Sequence, residues 1–213
     1  MFLTVFEQYP IVAVAMLLGF AVGIVLHEAS HAYSAYLLGD DTAYRYGRVT
    51  LNPASHLDLL GSLMLVMVGF GWGRPVPVEP SKLRGGKWGS VAVAFAGPAA
   101  NLAIVALCAV LIRLGPFQGE LVLLPILGIA FVNALLFVFN LIPIPPLDGA
   151  KVLYPFLPRS LNNFVRWMNQ YGPYILIGLL LLTFLPGINS PLGYLLAPVR
   201  PILELFGIPP LFG

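Results

Sequence analysis

From Ile11 to Leu38 the chain is predominantly apolar, yet this run carries the pattern His27-Glu28-Ala29-Ser30-His31 in its second half. Its 28 residues exceed the roughly 20 needed to cross a bilayer, so a tilted or projecting transmembrane helix is expected. In lipid a lone segment must satisfy its own backbone hydrogen bonds, which leaves little besides a helix. On that helix His27 and His31 share a face about one turn apart. Two imidazoles so placed can chelate a zinc ion, with Glu28 beside it to take a proton from water. An accidental pattern, its imidazoles bonded to neighbouring helices, is the weaker alternative, because ionisable groups at membrane depth are functional by default.

Composition agrees with the membrane setting. The 213 residues are 59% hydrophobic and 9% charged, with mean hydropathy +0.89, against about a quarter charged in soluble domains. We read residues 1–213 as one integral-membrane domain, with a core over about 11–155 and a C-terminal helix and interfacial tail over 156–213. A net charge of +2 is too small to imply a nucleic-acid partner. Cys108, the single cysteine, excludes an intramolecular disulfide and a cysteine-based zinc site, and is expected simply to pack. Met1 to Pro10 lacks the basic start of a signal peptide, so the first helix is expected to be an uncleaved anchor.

The expected architecture is an all-α polytopic membrane protein with about four transmembrane helices, a re-entrant segment and a small membrane-associated β element. Thr42 to Asn52 is aromatic and β-branched and predicts a strand. Gly73 to Pro80 predicts a second extended strand, blunted on one edge by Pro75 and Pro77. Leu57 to Trp72 is apolar but short and glycine-interrupted, which suits a re-entrant or shallow helix. Trp88–Leu114 and Leu121–Leu141 predict the second and third spans, and Tyr171–Leu185 begins the last. Tyr154–Gln170 predicts a loop or interfacial helix, and the tail from Pro191 an interfacial segment. If Leu57–Trp72 re-enters, nine basic residues share one side and only Arg113 and Arg200 face them, as the positive-inside rule favours. The same topology brings Asp148 to the membrane face of the histidines, near the cytoplasm, with both termini outside.

A catalytic zinc with two His ligands needs a third protein ligand and an open position. Glu7, Glu120 and Glu204 fall on the far face, and Asp40, Asp41 and Glu79 in loops. Asp148 is favoured because it follows a proline-broken helix, Ile142-Pro143-Ile144-Pro145-Pro146, and such a break requires protein or a wet cavity around it. Asp58 stays open as a ligand, and Asp148 has the alternative of capping the next helix. Asn140 and Asn101 are polar groups at depth that can donate to an oxyanion or bridge helices. We favour a site role for Asn140 and leave Asn101 open, while His56 is expected to organise a turn.

His27-Glu28-Ala29-Ser30-His31, Gly97-Pro98-Ala99-Ala100-Asn101 and Asn140-Leu-Ile-Pro-Ile-Pro-Pro-Leu-Asp148-Gly149 resemble, in order and spacing, the three signature segments of the site-2 protease family of intramembrane zinc metalloproteases. The stretches around Asn52-Pro53 and Gly71–Val78 further resemble its compact prokaryotic branch. The resemblance implies one Zn2+ held by His27, His31 and Asp148, and Glu28 as catalytic base. It implies transmembrane proteins or peptides as substrates, a prokaryotic cell membrane as location, and no PDZ or CBS domain. The reaction expected is hydrolysis of a peptide bond in a locally unwound segment, since a helical amide is tied up in its own hydrogen bonds. A zinc carrier or scaffold without hydrolysis is the rival, but repeated halves and a path of carboxylates are missing from the sequence. A lipid-amide hydrolase would keep the chemistry and change the substrate.

Overall fold

The computed structural model describes residues 6–115, 119–185, 190–209 and 211; the remainder of the leading segment and of the tail lies outside them. Among the described residues three helices have both the length and the apolarity to cross a membrane. These are α1 (Pro10–Leu37), α3 (Lys87–Leu114) and α4 (Glu120–Asn140), and they pack pairwise on one another. Between α1 and α3 lies α2 (Leu59–Val68). After α4 come α5 (Asp148–Leu153), α6 (Asn162–Leu182), α7 (Pro191–Leu195) and α8 (Val199–Leu205).

Small residues let the three long helices approach closely, as membrane helices without a hydrophobic drive between them require. Ala13, Ala15, Gly19 and Gly23 are buried along α1. A Cβ at Gly19 would lie 2.9 Å from the Cα of Ile129 on α4. On the other side of α4, Leu127, Ala130, Ala134 and Val138 pack with Ile104, Val105 and Cys108 of α3. Cys108 therefore packs as expected. The tail, expected at the interface, contributes Val199, Leu203 and Ile208 to this same cluster.

Two expectations are corrected. The fourth span is not set apart: α6 has 21 residues, but its first turns carry Asn162, Asn163, Arg166, Asn169 and Gln170, merging the expected interfacial segment with the expected span. Among the described residues three helices, rather than four, are long and apolar enough for a full crossing. The β element is also missing among the described residues. Thr42–Arg45 is a single helical turn, and the only trace of pairing is one antiparallel bridge between Leu57 and Gly73.

The reason lies in what takes the backbone groups of the extended segment 73–80. Arg74 N–H donates to His56 O at 2.7 Å. Arg48, buried, donates to Arg74 O and, at 3.0 Å, to Pro75 O. Val76 N–H donates to Glu28 Oε2 at 3.1 Å, and Glu79 N–H to the buried Asp40 Oδ2 at 2.6 Å. With His56 O and the side chains of Arg48, Glu28 and Asp40 filling these positions, no second strand is needed to satisfy the segment. Burial pushes the Asp40 carboxyl up, but hydrogen bonds from Thr42 and Glu79 and the nearby Lys82 ammonium outweigh it and hold it below the ordinary carboxylate range.

The segment expected to re-enter does form a short helix. α2 has 10 residues, about 15 Å at 1.5 Å per residue, half of a ~30 Å hydrocarbon core. Asp58 caps it, accepting from Gly61 N–H at 2.8 Å, and Gly69 ends it in a left-handed conformation at φ 78.

Candidate metal centre

α1 presents His27 and His31 toward α3 and the start of α5, where Asp148 is the first helical residue. All three side chains are buried. Their ligand atoms form a nearly equilateral triangle: His27 Nε2 to His31 Nε2 3.1 Å, and each of these to Asp148 Oδ2 3.0 Å. Among the described residues this is the one group of three His, Cys, Asp or Glu side chains that can share an ion.

The outer bonds of each ring decide what its inner nitrogen offers. His31 Nδ1 lies 2.7 Å from Val93 O, an atom that can only accept, so Nδ1 carries the hydrogen. His27 Nδ1 lies 2.7 Å from Asn101 Oδ1 and donates there in the same way. With Nδ1 as the hydrogen-bearing nitrogen, each Nε2 is the atom available to a metal, and each faces Asp148 Oδ2. Three acceptors gathered in a buried site form a donor set that a cation can join. The triangle edges match the ~3.3 Å separation of ligands around a tetrahedral zinc with bonds of about 2.0–2.1 Å.

Space for the ion is provided by α3. A Cβ at Gly97 would lie 2.4 Å from His31 Nε2 and 2.6 Å from His27 Nε2. Gly97 thus leaves a gap against both nitrogens, and the donor set and the gap together fit zinc. The remaining oxygen of Asp148, Oδ1, receives Lys151 Nζ at 3.1 Å, which fixes which oxygen faces the histidines.

Glu28 is half-buried beside the triangle and outside it, its Oε2 held by Val76 N–H. Of the other candidates, Asp58 is spent on the α2 cap. His56, fully buried, donates from Nε2 to Thr50 O at 2.8 Å and organises its turn as expected. Asn140 donates to Leu136 O in its own helix and makes no hydrogen bond to His27, His31 or Asp148. Asn101, left open between donating to an oxyanion and bridging helices, bridges to α4 through Asn133, and its Oδ1 accepts from His27, a contact neither role foresaw. Asn133 itself was missed, although a lone amide inside Ile129-Ala130-Phe131-Val132-Asn133-Ala134 is the same signal that drew attention to Asn101.

No protein-family model and no solved structure matches the chain. Curated relatives do. The chain is 35% identical to the Bacillus subtilis protein named "Putative zinc metalloprotease YwhC", over 94% of this chain and 95% of that one. It is 32% identical to "Putative zinc metalloprotease Rip2" of Mycobacterium tuberculosis over 94% of this chain and 77% of the relative. The Mycolicibacterium smegmatis Rip2 is 30% identical over 85% and 71%. With identity at this level across nearly the whole of both chains, and with the three signature segments meeting at one buried site, the protein belongs to the site-2 protease family of membrane zinc metalloproteases.

Proposed function

We propose that the protein is a zinc metalloendopeptidase that hydrolyses peptide bonds in membrane-embedded segments of other proteins. The observation that carries this reading is the buried triangle of two imidazoles and a carboxylate with a separate carboxylate, Glu28, beside it. His27, His31 and Asp148 hold the ion. When bound, zinc supplies Lewis acidity that polarises a carbonyl and makes water nucleophilic near neutral pH. Glu28 takes the proton of the attacking water on its carboxylate and delivers it to the departing amine. Val76 N–H holds one Glu28 oxygen in place, leaving the other for that proton. Asn140 uses one amide hydrogen on Leu136 O; its second is free to meet the scissile oxygen as charge develops there.

Zinc analysis tests the ligand set. Purified protein is expected to carry about one zinc per chain, and chelation to stop cleavage of a single-span peptide until zinc is returned. Asp148→Ala should lose the metal. Asp58→Ala, which removes only a helix cap, should keep it, and the reverse pattern would overturn the assignment.

The site is placed on the cytoplasmic side of a bacterial cell membrane, in a chain that folds as a single domain. The support is the gathering of basic residues in the segments around the site. Ser81→Cys and Asn163→Cys, both at exposed positions, are expected to react together with an impermeant reagent from the cytoplasmic side in a Cys108→Ala background. Labelling from opposite sides would refute this orientation.

A further inference from the structure

Behind His27 lies a chain of buried side-chain amides that no part of the hydrolytic scheme uses. Asn101 and Asn133 are both 0% exposed. Asn133 Nδ2 reaches two backbone carbonyls, Ile129 O at 2.9 Å and Gly19 O at 3.2 Å. Carbonyl oxygens only accept, so this end of the amide must be NH2, and the orientation of Asn133 is set by the main chain of α1 and α4. Its Oδ1 consequently faces Asn101 Nδ2 at 3.0 Å, which also donates to Gly23 O at 3.1 Å. Both hydrogens of Asn101 are then committed, and only its Oδ1 is left for His27 Nδ1 at 2.7 Å. Reversing either amide would set oxygen against oxygen at fully buried positions.

The orientation of Asn101 is thus set by two acceptors, Gly23 O and Asn133 Oδ1. We propose that Asn133 is a positioning residue for the zinc site: through Asn101 it fixes Nδ1 as the hydrogen-bearing nitrogen of His27 and so presents Nε2 to the metal. Three helices take part, since Asn133 is on α4, Asn101 on α3 and His27 on α1. Gly23 is the residue on α1 that allows the pair to fit, because a Cβ there would lie 2.5 Å from Asn133 Oδ1. Partners of this kind, one step behind a ligand, commonly change metal affinity about 10–100-fold when removed. Asn133 stands one step further back and Gly23 O still guides Asn101, so the lower end of that range is expected.

The proposal rests on the zinc site inferred above, and the test separates the two. Zinc-loaded protein labelled with 15N-histidine is measured by NMR, and zinc affinity by competition with a chelator. The wild type should show a His27 Nδ1 proton that is strongly hydrogen-bonded and slow to exchange, assigned by its loss in His27→Ala. Asn133→Leu removes the acceptor offered to Asn101. It should speed exchange of that proton, shift it toward the unbonded position, and weaken zinc binding about tenfold. Asn133→Asp keeps an oxygen toward Asn101 in either protonation state while losing a donor to the carbonyls. It should hold the proton and the affinity near wild type, even where it lowers thermal stability. Loss of both in proportion to stability, with Asp as harmful as Leu, would reduce Asn133 to a packing role and overturn the proposal. If Asn133→Leu fails to fold, the wild-type spectrum still decides, since a freely exchanging His27 Nδ1 proton refutes the relay. If His27→Ala binds zinc as the wild type does, the zinc site itself is wrong.

Discussion

Glu28→Gln is expected to bind zinc as the wild type does and to cleave about a thousandfold more slowly, within the range that loss of a general base produces. The two side chains are nearly isosteric, and glutamine still has an oxygen to accept from Val76 N–H, which now reaches Glu28 Oε2 at 3.1 Å. The position that faced the attacking water becomes an NH2 group, which cannot take a proton at neutral pH. Metal content should not follow activity, because Glu28 stands outside the triangle of His27, His31 and Asp148. Measuring zinc per chain and cleavage on the same preparation separates the outcomes. Full zinc with full cleavage would place the base elsewhere, and lost zinc would make Glu28 a ligand. The inactive variant should also retain membrane proteins that the active enzyme releases, giving a way to identify substrates by mass spectrometry.

The second large effect comes from a single methyl group. Gly97→Ala is expected to lower zinc occupancy at least tenfold, and cleavage with it, without unfolding the protein. An added Cβ would approach both Nε2 atoms, at 2.4 and 2.6 Å, where it displaces the ion or pushes the imidazoles apart. In the helix itself alanine is preferred to glycine by about 1 kcal/mol, which offsets part of the cost of moving two buried rings, so the metal-free variant should still fold. Metal analysis and thermal unfolding, with and without zinc, check both halves. Unchanged zinc binding in Gly97→Ala would mean that the gap beside the histidines is not where the ion sits.

Much of the site was legible because it depends on side chains at fixed intervals. His27 and His31 share a face by helical spacing alone, and Asp148 is marked by the prolines that break the chain after α4. The spans α1, α3 and α4 declare themselves by hydropathy over more than twenty residues. What escaped the sequence involves single backbone atoms brought together from afar. Nothing in Thr42–Asn52 reveals that Arg48 will take Arg74 O and Pro75 O, removing the partner that a strand would need. The link from Val76 N–H to Glu28 spans 48 residues and is made by an amide that every residue but proline has. Asn133 carried a signal, a lone amide in an apolar run, but its meaning depends on facing Asn101 across two helices.

The anchoring of the site on main-chain atoms bears on how this enzyme can diverge. His31 is oriented by Val93 O, Glu28 by Val76 N–H, and Asn133 by Gly19 O and Ile129 O. Since the side chains of Val76, Val93 and Ile129 take no part in those bonds, these positions can change as far as their packing allows, Val93 being buried and Ile129 packed on the core, without moving the atoms that orient the site. A lineage can thus exchange the packing around the site for another apolar set while the atoms that aim the chemistry stay where they are.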